Sequence, residues 1–171
     1  HIEATLSHLG MPQVKFVVEV ESQQELFATG CDKIRFMFSA NEKVAAQAVE
    51  KVASGGEISR VMLALKALLA SRSQLPTIIF DEIDTGVSGR IADAMGEIIE
   101  SLSKNMQVVS ITHLPQVASK GESHFVVYKQ DSVTNIARLD EGERVEEIAK
   151  MLSGSQVSKA ALEQARLLLG K

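Results

Sequence analysis

Thr77-Ile78-Ile79-Phe80-Asp81-Glu82-Ile83-Asp84-Thr85-Gly86-Val87-Ser88 sets a short apolar run between Pro76 and two adjacent carboxylates. An apolar run bounded in this way predicts a strand buried on both faces. In open α/β sheets ligands bind outside the carboxyl ends of the strands, which is where Asp81 and Glu82 fall. Asp81 suits a hard cation such as Mg²⁺, which takes oxygen ligands and keeps several waters. Glu82, pointing the other way, can orient or deprotonate a water. The bland alternative is a solvated acidic turn able to cap the next helix, and the run alone leaves both open. Asp84-Thr85-Gly86-Val87-Ser88 reads as turn chemistry, with Ser88 as the N-cap of the next helix.

That helix, residues 88–103, is amphipathic, with Ile91, Met95, Ile98, Ile99 and Leu102 on one side. Val108-Val109-Ser110-Ile111 then predicts a second buried strand. A strand–helix–strand unit implies parallel strands joined by a right-handed crossover. Thr112-His113 lies just past the second strand, so the topology puts Glu82 and His113 at one edge of the sheet. A lone histidine is usually structural or merely exposed. His8 and His124 have no comparable placement and carry no assignment.

Upstream, residues 55–71 repeat Ile58, Val61, Met62, Leu65, Leu68 and Leu69 at helical spacing. Leu63, Ala64 and Ala67 extend the apolar surface, which predicts a deeply buried helix. Its start reads Ala53-Ser54-Gly55-Gly56-Glu57. Ser54 and Glu57 have capping-box spacing. A capping box does not call for two glycines, however. Glycines let a ligand approach backbone N–H groups, and a helix N-terminus is a ready anion site. Capping and phosphate binding both remain open on these residues alone.

The flanks are plainer. Residues 2–9 read as the end of a helix, stopped by Gly10, Met11 and Pro12. Val14-Lys15-Phe16-Val17-Val18-Glu19-Val20 and Ile34-Arg35-Phe36-Met37-Phe38 predict an antiparallel strand pair, with 22–33 as the connecting loop. Residues 40–53 form a polar connector. Strands at 124–128 and 133–139 and helices at 143–152 and 158–169 complete the chain, which shows no internal repeat.

With 171 residues, of which 45% are hydrophobic and 23% charged, the chain can build a soluble domain with a real core. A net charge of −4 argues against a basic nucleic-acid module, and 4% aromatics argue mildly against a stacking platform. Lys66, Arg72 and Lys104 are scattered and read as solvated surface. Cys31 is the single cysteine, so no internal disulfide or cysteine zinc site is expected, and a reducing compartment is the natural reading. No apolar run reaches the roughly 18 residues that span a bilayer. The opening His1-Ile2-Glu3-Ala4 is unlike a signal peptide and reads as a cut within a longer protein.

The order and spacing of these features resemble the ABC-type ATPases. Ser54-Gly55-Gly56-Glu57 resembles the ABC signature motif, and Ile78-Ile79-Phe80-Asp81-Glu82 a Walker B strand with its catalytic glutamate. Asp84 sits where the D-loop aspartate does, and His113 where the H-loop histidine does. Within that group the chain is similar to the RecN family of bacterial DNA repair ATPases, relatives of the structural-maintenance-of-chromosomes proteins. Lys51 to Arg60, Phe80 to Arg90 and Thr112 to Ala118 carry the likeness, with Phe38-Ser39-Ala40-Asn41 and Arg144-Val145-Glu146-Glu147-Ile148-Ala149. Ala53 departs from the leucine common in other ABC proteins, which separates the chain from transporter ATPases.

The resemblance implies the C-terminal lobe of an ABC-type ATPase head, a mostly parallel P-loop-like α/β sheet with flanking helices plus the antiparallel pair near the start. Residues 1–12 would be the remnant of a returning coiled coil and 13–171 the lobe. A phosphate-cradling loop needs Gly-x-x-x-x-Gly-Lys-Ser/Thr. Here the Gly170-Lys171 pair has no Ser or Thr after it, and Ala165 stands where the first glycine belongs. The family carries that loop on an N-terminal lobe, the first implied partner, and the isolated chain is expected to be inactive. The others are a second head, paired through an ATP sandwich, and DNA; ATP and Mg²⁺ are the implied ligands. In that scheme Asp81 helps hold Mg²⁺, Glu82 orients the attacking water, and His113 contacts the γ-phosphate. Ser54, Gly55, Gly56 and Glu57 serve the nucleotide of the opposite head, and Asp84 links the two sites. The implied setting is double-strand break repair in the bacterial cytoplasm, at the nucleoid. A lobe of another ABC-type machine and a non-catalytic interaction module are the alternatives, the latter disfavoured by intact Glu82 and His113.

Overall fold

The computed structural model describes residues 1–51, 55–72, 75–154 and 156–170. The chain divides into two compact units, His1–Gln74 with Thr85–Val87, and Leu75–Asp84 with Ser88–Lys171.

The first unit opens with α1 (Ile2–His8). The helix ends as a Schellman motif: Gly10, at φ 84, donates its N–H to Ser7 O, and Met11 donates to Leu6 O. Leu6 and Met11 join Val14, Phe38, Val61 and Ala64 in one buried cluster, so the helix stop is also a packing contact. β1 (Lys15–Phe27) and β2 (Gly30–Ser39) pair antiparallel. The expected loop at 22–33 is instead mostly strand, with a register shift between Ser22 and Phe27. This ribbon is exposed along most of its length, so its polar residues keep the backbone pairing without any apolar alternation to announce it. The connector contributes β3 (Gln47–Ala48), paired with β2, and a 3₁₀ turn at Val49–Lys51. α2 (Gly55–Arg72) comes next. It is buried less completely than expected: Val61, Leu63 and Ala64 are enclosed, whereas Met62 and Leu69 face solvent.

The second unit is built on β4 (Thr77–Asp81) and β5 (Gln107–Ile111), paired parallel from Thr77↔Gln107 to Asp81↔Ile111. Between them runs α3 (Gly89–Ser103), which lies against β5 and against α4 (Pro115–Ala118). Gly96 of α3 allows this approach, since a Cβ there would meet Gln116 O at 3.0 Å. Ser88 holds the N-cap position of α3 in extended backbone, but its hydroxyl makes no capping hydrogen bond. β4 and β5 are not buried on both faces. Phe80 is enclosed, yet Ile79, Val109 and Ile111 on the alternate face are 58%, 42% and 51% exposed. Alternation along a strand puts those three residues opposite the helix-covered side, and nothing among the described residues of this unit covers them. β6 (Phe125–Gln130) and β7 (Val133–Arg138) form an antiparallel ribbon. α5 (Glu141–Ser153) and α6 (Lys159–Leu168) pack together around Val145, Ile148, Ala149, Ala161 and Ala165. Among the described residues no helix is long and apolar enough to cross a membrane.

Candidate nucleotide site

The parallel register of β4 and β5 brings the chemistry-bearing residues of the second unit to one edge. Asp81 is the last residue of β4 opposite Ile111, and Glu82 prolongs the ladder by donating its N–H to Ile111 O at 3.1 Å. Asp81 and Glu82 are both exposed. Glu82 adopts φ 46, the left-handed region that a non-glycine residue occupies at a cost of about 1–3 kcal/mol. The strand therefore turns sharply at the second carboxylate instead of running on. Strained backbone of this kind is common where a side chain must be aimed.

Two residues later the chain buries a charge. Asp84 is 1% exposed. Its Oδ2 accepts a hydrogen bond from Thr112 Oγ1, and Thr112 Oγ1 in turn accepts from the Leu114 N–H at 3.0 Å. His113 stands beside it, with Nδ1 3.7 Å from Asp84 Oδ1 and a side chain that is 63% exposed. Oδ1 itself is buried and has no hydrogen-bond partner among the described residues. Asp84, Thr112 and His113 thus form one constellation spanning the ends of both strands. Within this unit the Asp84 carboxylate is enclosed against Thr112.

The glycine-rich start of α2 belongs to the first unit. Ser54 lies outside the described residues. Gly55 and Gly56 differ sharply. Among the described residues a Cβ on Gly55 would meet nothing within 4 Å, whereas one on Gly56 would stand 3.3 Å from Gly86 O and 3.6 Å from Thr85 O. Gly86 has φ 78, a conformation that favours glycine, and Gly56 packs closely against it. Gly56 is therefore tightly packed, and among the described residues Gly55 fronts open space. Glu57, next in line, is half-buried. Arg60 fixes this turn: its Nε donates to Gly56 O at 2.9 Å and its Nη1 to Leu9 O, just past α1, at 3.1 Å. Arg60 was not singled out from the sequence, and a bond across 51 positions leaves no local signal. The Asp84–Thr112 bond is invisible for the same reason, although both residues were noticed separately.

Among the described residues no group of three or more His, Cys, Asp or Glu side chains is placed to hold a metal ion. A cation at this edge would draw on an exposed carboxylate such as Asp81 together with oxygens from a ligand and water.

No protein-family profile matches the chain. The DNA repair protein RecN of Rickettsia conorii is 42% identical over 177 residues, a match covering 99% of this chain and 32% of that protein. Among solved structures, the Smc head domain with a coiled coil and joint from Pyrococcus yayanosii superposes with a TM-score of 0.73 at 18% identity, covering 89% of this chain and 28% of that one. A chain from work on ATP-driven dimerization and DNA-stimulated activation of SMC ATPases gives a TM-score of 0.62 at 16% identity, covering 91% of each. The likeness to the two structures is one of fold.

Proposed function

Over nearly its whole length this chain is similar to the C-terminal portion of the DNA repair protein RecN, spanning about a third of that protein's length, and from that premise we propose that it is the C-terminal lobe of an ATP-hydrolysing head that acts in DNA double-strand break repair. The observation that carries the reading is the shared edge of β4 and β5, where Asp81, Glu82 and His113 emerge together over buried Asp84.

The residues present fit Mg-ATP. Asp81 offers an exposed carboxylate where Mg²⁺, with its preference for one or two carboxylates plus phosphate oxygens and water, would be held. The bound ion would supply charge neutralisation on the transferring phosphoryl group. Glu82, turned out of the strand by its left-handed backbone, orients the attacking water and draws its proton. His113 presents its exposed ring to the γ-phosphate. Ser54 and Gly55, with Gly56 and Glu57 behind them, serve the γ-phosphate held by a second head. The open space at Gly55 supports that use, because backbone N–H groups at a helix start are anion-binding only when a ligand can reach them.

The uncovered face bearing Ile79, Val109 and Ile111 supports a second element of the proposal. Parallel sheets are ordinarily covered on both faces. The lobe carrying the phosphate-cradling loop is the natural cover, and residues 1–12 would be the foot of a coiled coil joining the two lobes. Head pairing through ATP, contact with DNA and a cytoplasmic, nucleoid-associated setting complete the reading.

The test is Mg-ATP hydrolysis by this chain alone and mixed with the phosphate-loop lobe, with Glu82→Gln as control. Activity only in the mixture, reduced by about 100-fold or more in Glu82→Gln, is expected. Turnover by the chain alone, or a mixture indifferent to the substitution, would remove the reading.

A further inference from the structure

A buried carboxylate needs a partner for each oxygen, and Asp84 has one for only one of them. Its Oδ2 is taken by the Thr112 hydroxyl. The direction of that bond is fixed, because a carboxylate oxygen can only accept, so Thr112 Oγ1 sends its own proton to Asp84 while accepting the Leu114 N–H. Oδ1 is left buried without a hydrogen bond among the described residues, an unfavourable position for a polar group and more so for a charge. The group facing it is His113 Nδ1, 3.7 Å away on a ring that is otherwise solvated. Catalytic hydrogen bonds are often long before ligand binds and shorten in the loaded state.

From this geometry we infer that Asp84 is a positioning residue for His113: it accepts a hydrogen bond from the imidazole Nδ1–H and so fixes both the tautomer and the direction of the ring. The inference rests on the proposed role of His113 at the γ-phosphate and deepens it. A carboxylate oxygen can only accept, so the nitrogen facing Oδ1 must carry a proton. Nε2 is then the acceptor nitrogen of a largely exposed ring, and it reaches the γ-phosphate through a bridging water that donates to it. Thr112 selects which oxygen is left for the histidine. Acting through His113 alone, Asp84 touches neither nucleotide nor the second head.

The experiment uses the full-length protein with ring-¹⁵N-labelled histidine. Asp84→Asn keeps the size of the side chain. Its carbonyl oxygen still accepts from Thr112, so its NH₂ faces His113 and demands a lone pair at Nδ1. The His113 nitrogens should then change from the Nδ1–H to the Nε2–H pattern, and kcat should fall about 10- to 100-fold with KM for ATP changed less than about threefold. In a His113→Gln background the same substitution should change kcat less than about twofold, as expected when one residue acts through the other. Thr112→Val, which leaves the carboxylate in place but frees its orientation, should give a mixed tautomer and a smaller loss, and stands in if Asp84→Asn does not fold. An unchanged tautomer, or an equal loss of kcat with and without His113, would overturn the inference. So would loss of ATP-driven head pairing in Asp84→Asn, which would return the carboxylate to a contact across the dimer. If His113→Gln by itself leaves turnover intact, it is the phosphate role of His113 that fails.

Discussion

Two helix starts in this molecule carry the same written pattern and stand in different surroundings. α5 begins Asp140-Glu141-Gly142-Glu143, and α2 begins at Ser54-Gly55-Gly56-Glu57. At α5 the pattern is a closed capping box: Asp140 accepts from the Glu143 N–H at 2.8 Å, and Glu143 accepts from the Asp140 N–H at 2.8 Å. Arg144 then reaches back to Gly121 O and Glu122 O, locking that start onto the turn after α4. At α2 the described residues show one glycine pressed against the Gly86 backbone and its neighbour facing open space. A polar residue followed by an acid three positions on therefore states only that a helix begins. What the helix end then does, whether it satisfies itself or waits for a ligand, depends on what stands in front of it.

Substitutions separate the two starts. The largest effect is expected from Ser54→Arg in the full-length protein: ATP-driven pairing lost and turnover down about 100-fold, with ATP binding by single heads retained. Normal ATP-dependent dimers in sizing or light-scattering measurements would break the contrast. Gly56→Val places a branched side chain against the backbone of Gly86, and urea titration should show a loss of about 1–3 kcal/mol. Asp140→Ala opens the α5 capping box and should cost about 1 kcal/mol while leaving turnover unchanged. Gly55→Ala has room for its methyl and should raise stability by about 0.5 kcal/mol, yet lower turnover. A variant that is both more stable and fully active would mean that no ligand uses the open space.

The smallest effect concerns pH. His124 titrates below the ordinary histidine value of 6.5, first because it is half-buried and second because of the Arg144 charge, with Glu147 opposing. The unfolded chain therefore binds more protons there than the folded one, so stability falls as pH drops below about 6.5 toward the folded value. His124→Gln should flatten that acid decline in thermal melts recorded from about pH 7 down to about pH 5. An unchanged slope would mean that the neighbourhood of α5 is not the acid-sensitive part of the chain.

The strand–helix–strand order, the parallel pairing and the placing of Glu82 and His113 at one edge were all legible in the sequence. They arise from local apolar runs and from the rule that parallel strands need a crossover. The helices at 88–103 and 158–169 were legible too, because their apolar stripes are strong. The α5 box was missed, since Glu143 read as the first helical residue and not as the far half of a cap. The extension of the β1–β2 pair into residues 22–33 was missed because a ribbon with two solvated faces leaves no pattern to read.

By itself the sequence determined the kinds of chemistry available and their order along the chain: paired carboxylates after one strand, a histidine after the next, glycines opening a helix. It could not decide which of these groups meet. Thr112 and Asp84 lie 28 positions apart, and Arg60 and Leu9 51 apart. Local preferences are short-ranged, whereas burial and hydrogen bonding are settled by whatever the fold brings alongside. Only the tertiary structure divided the acids by role, leaving Asp81 and Glu82 in solvent and enclosing Asp84 with one oxygen turned toward His113. That division is a matter of desolvation, which a residue acquires from its surroundings and does not carry in its own chemistry.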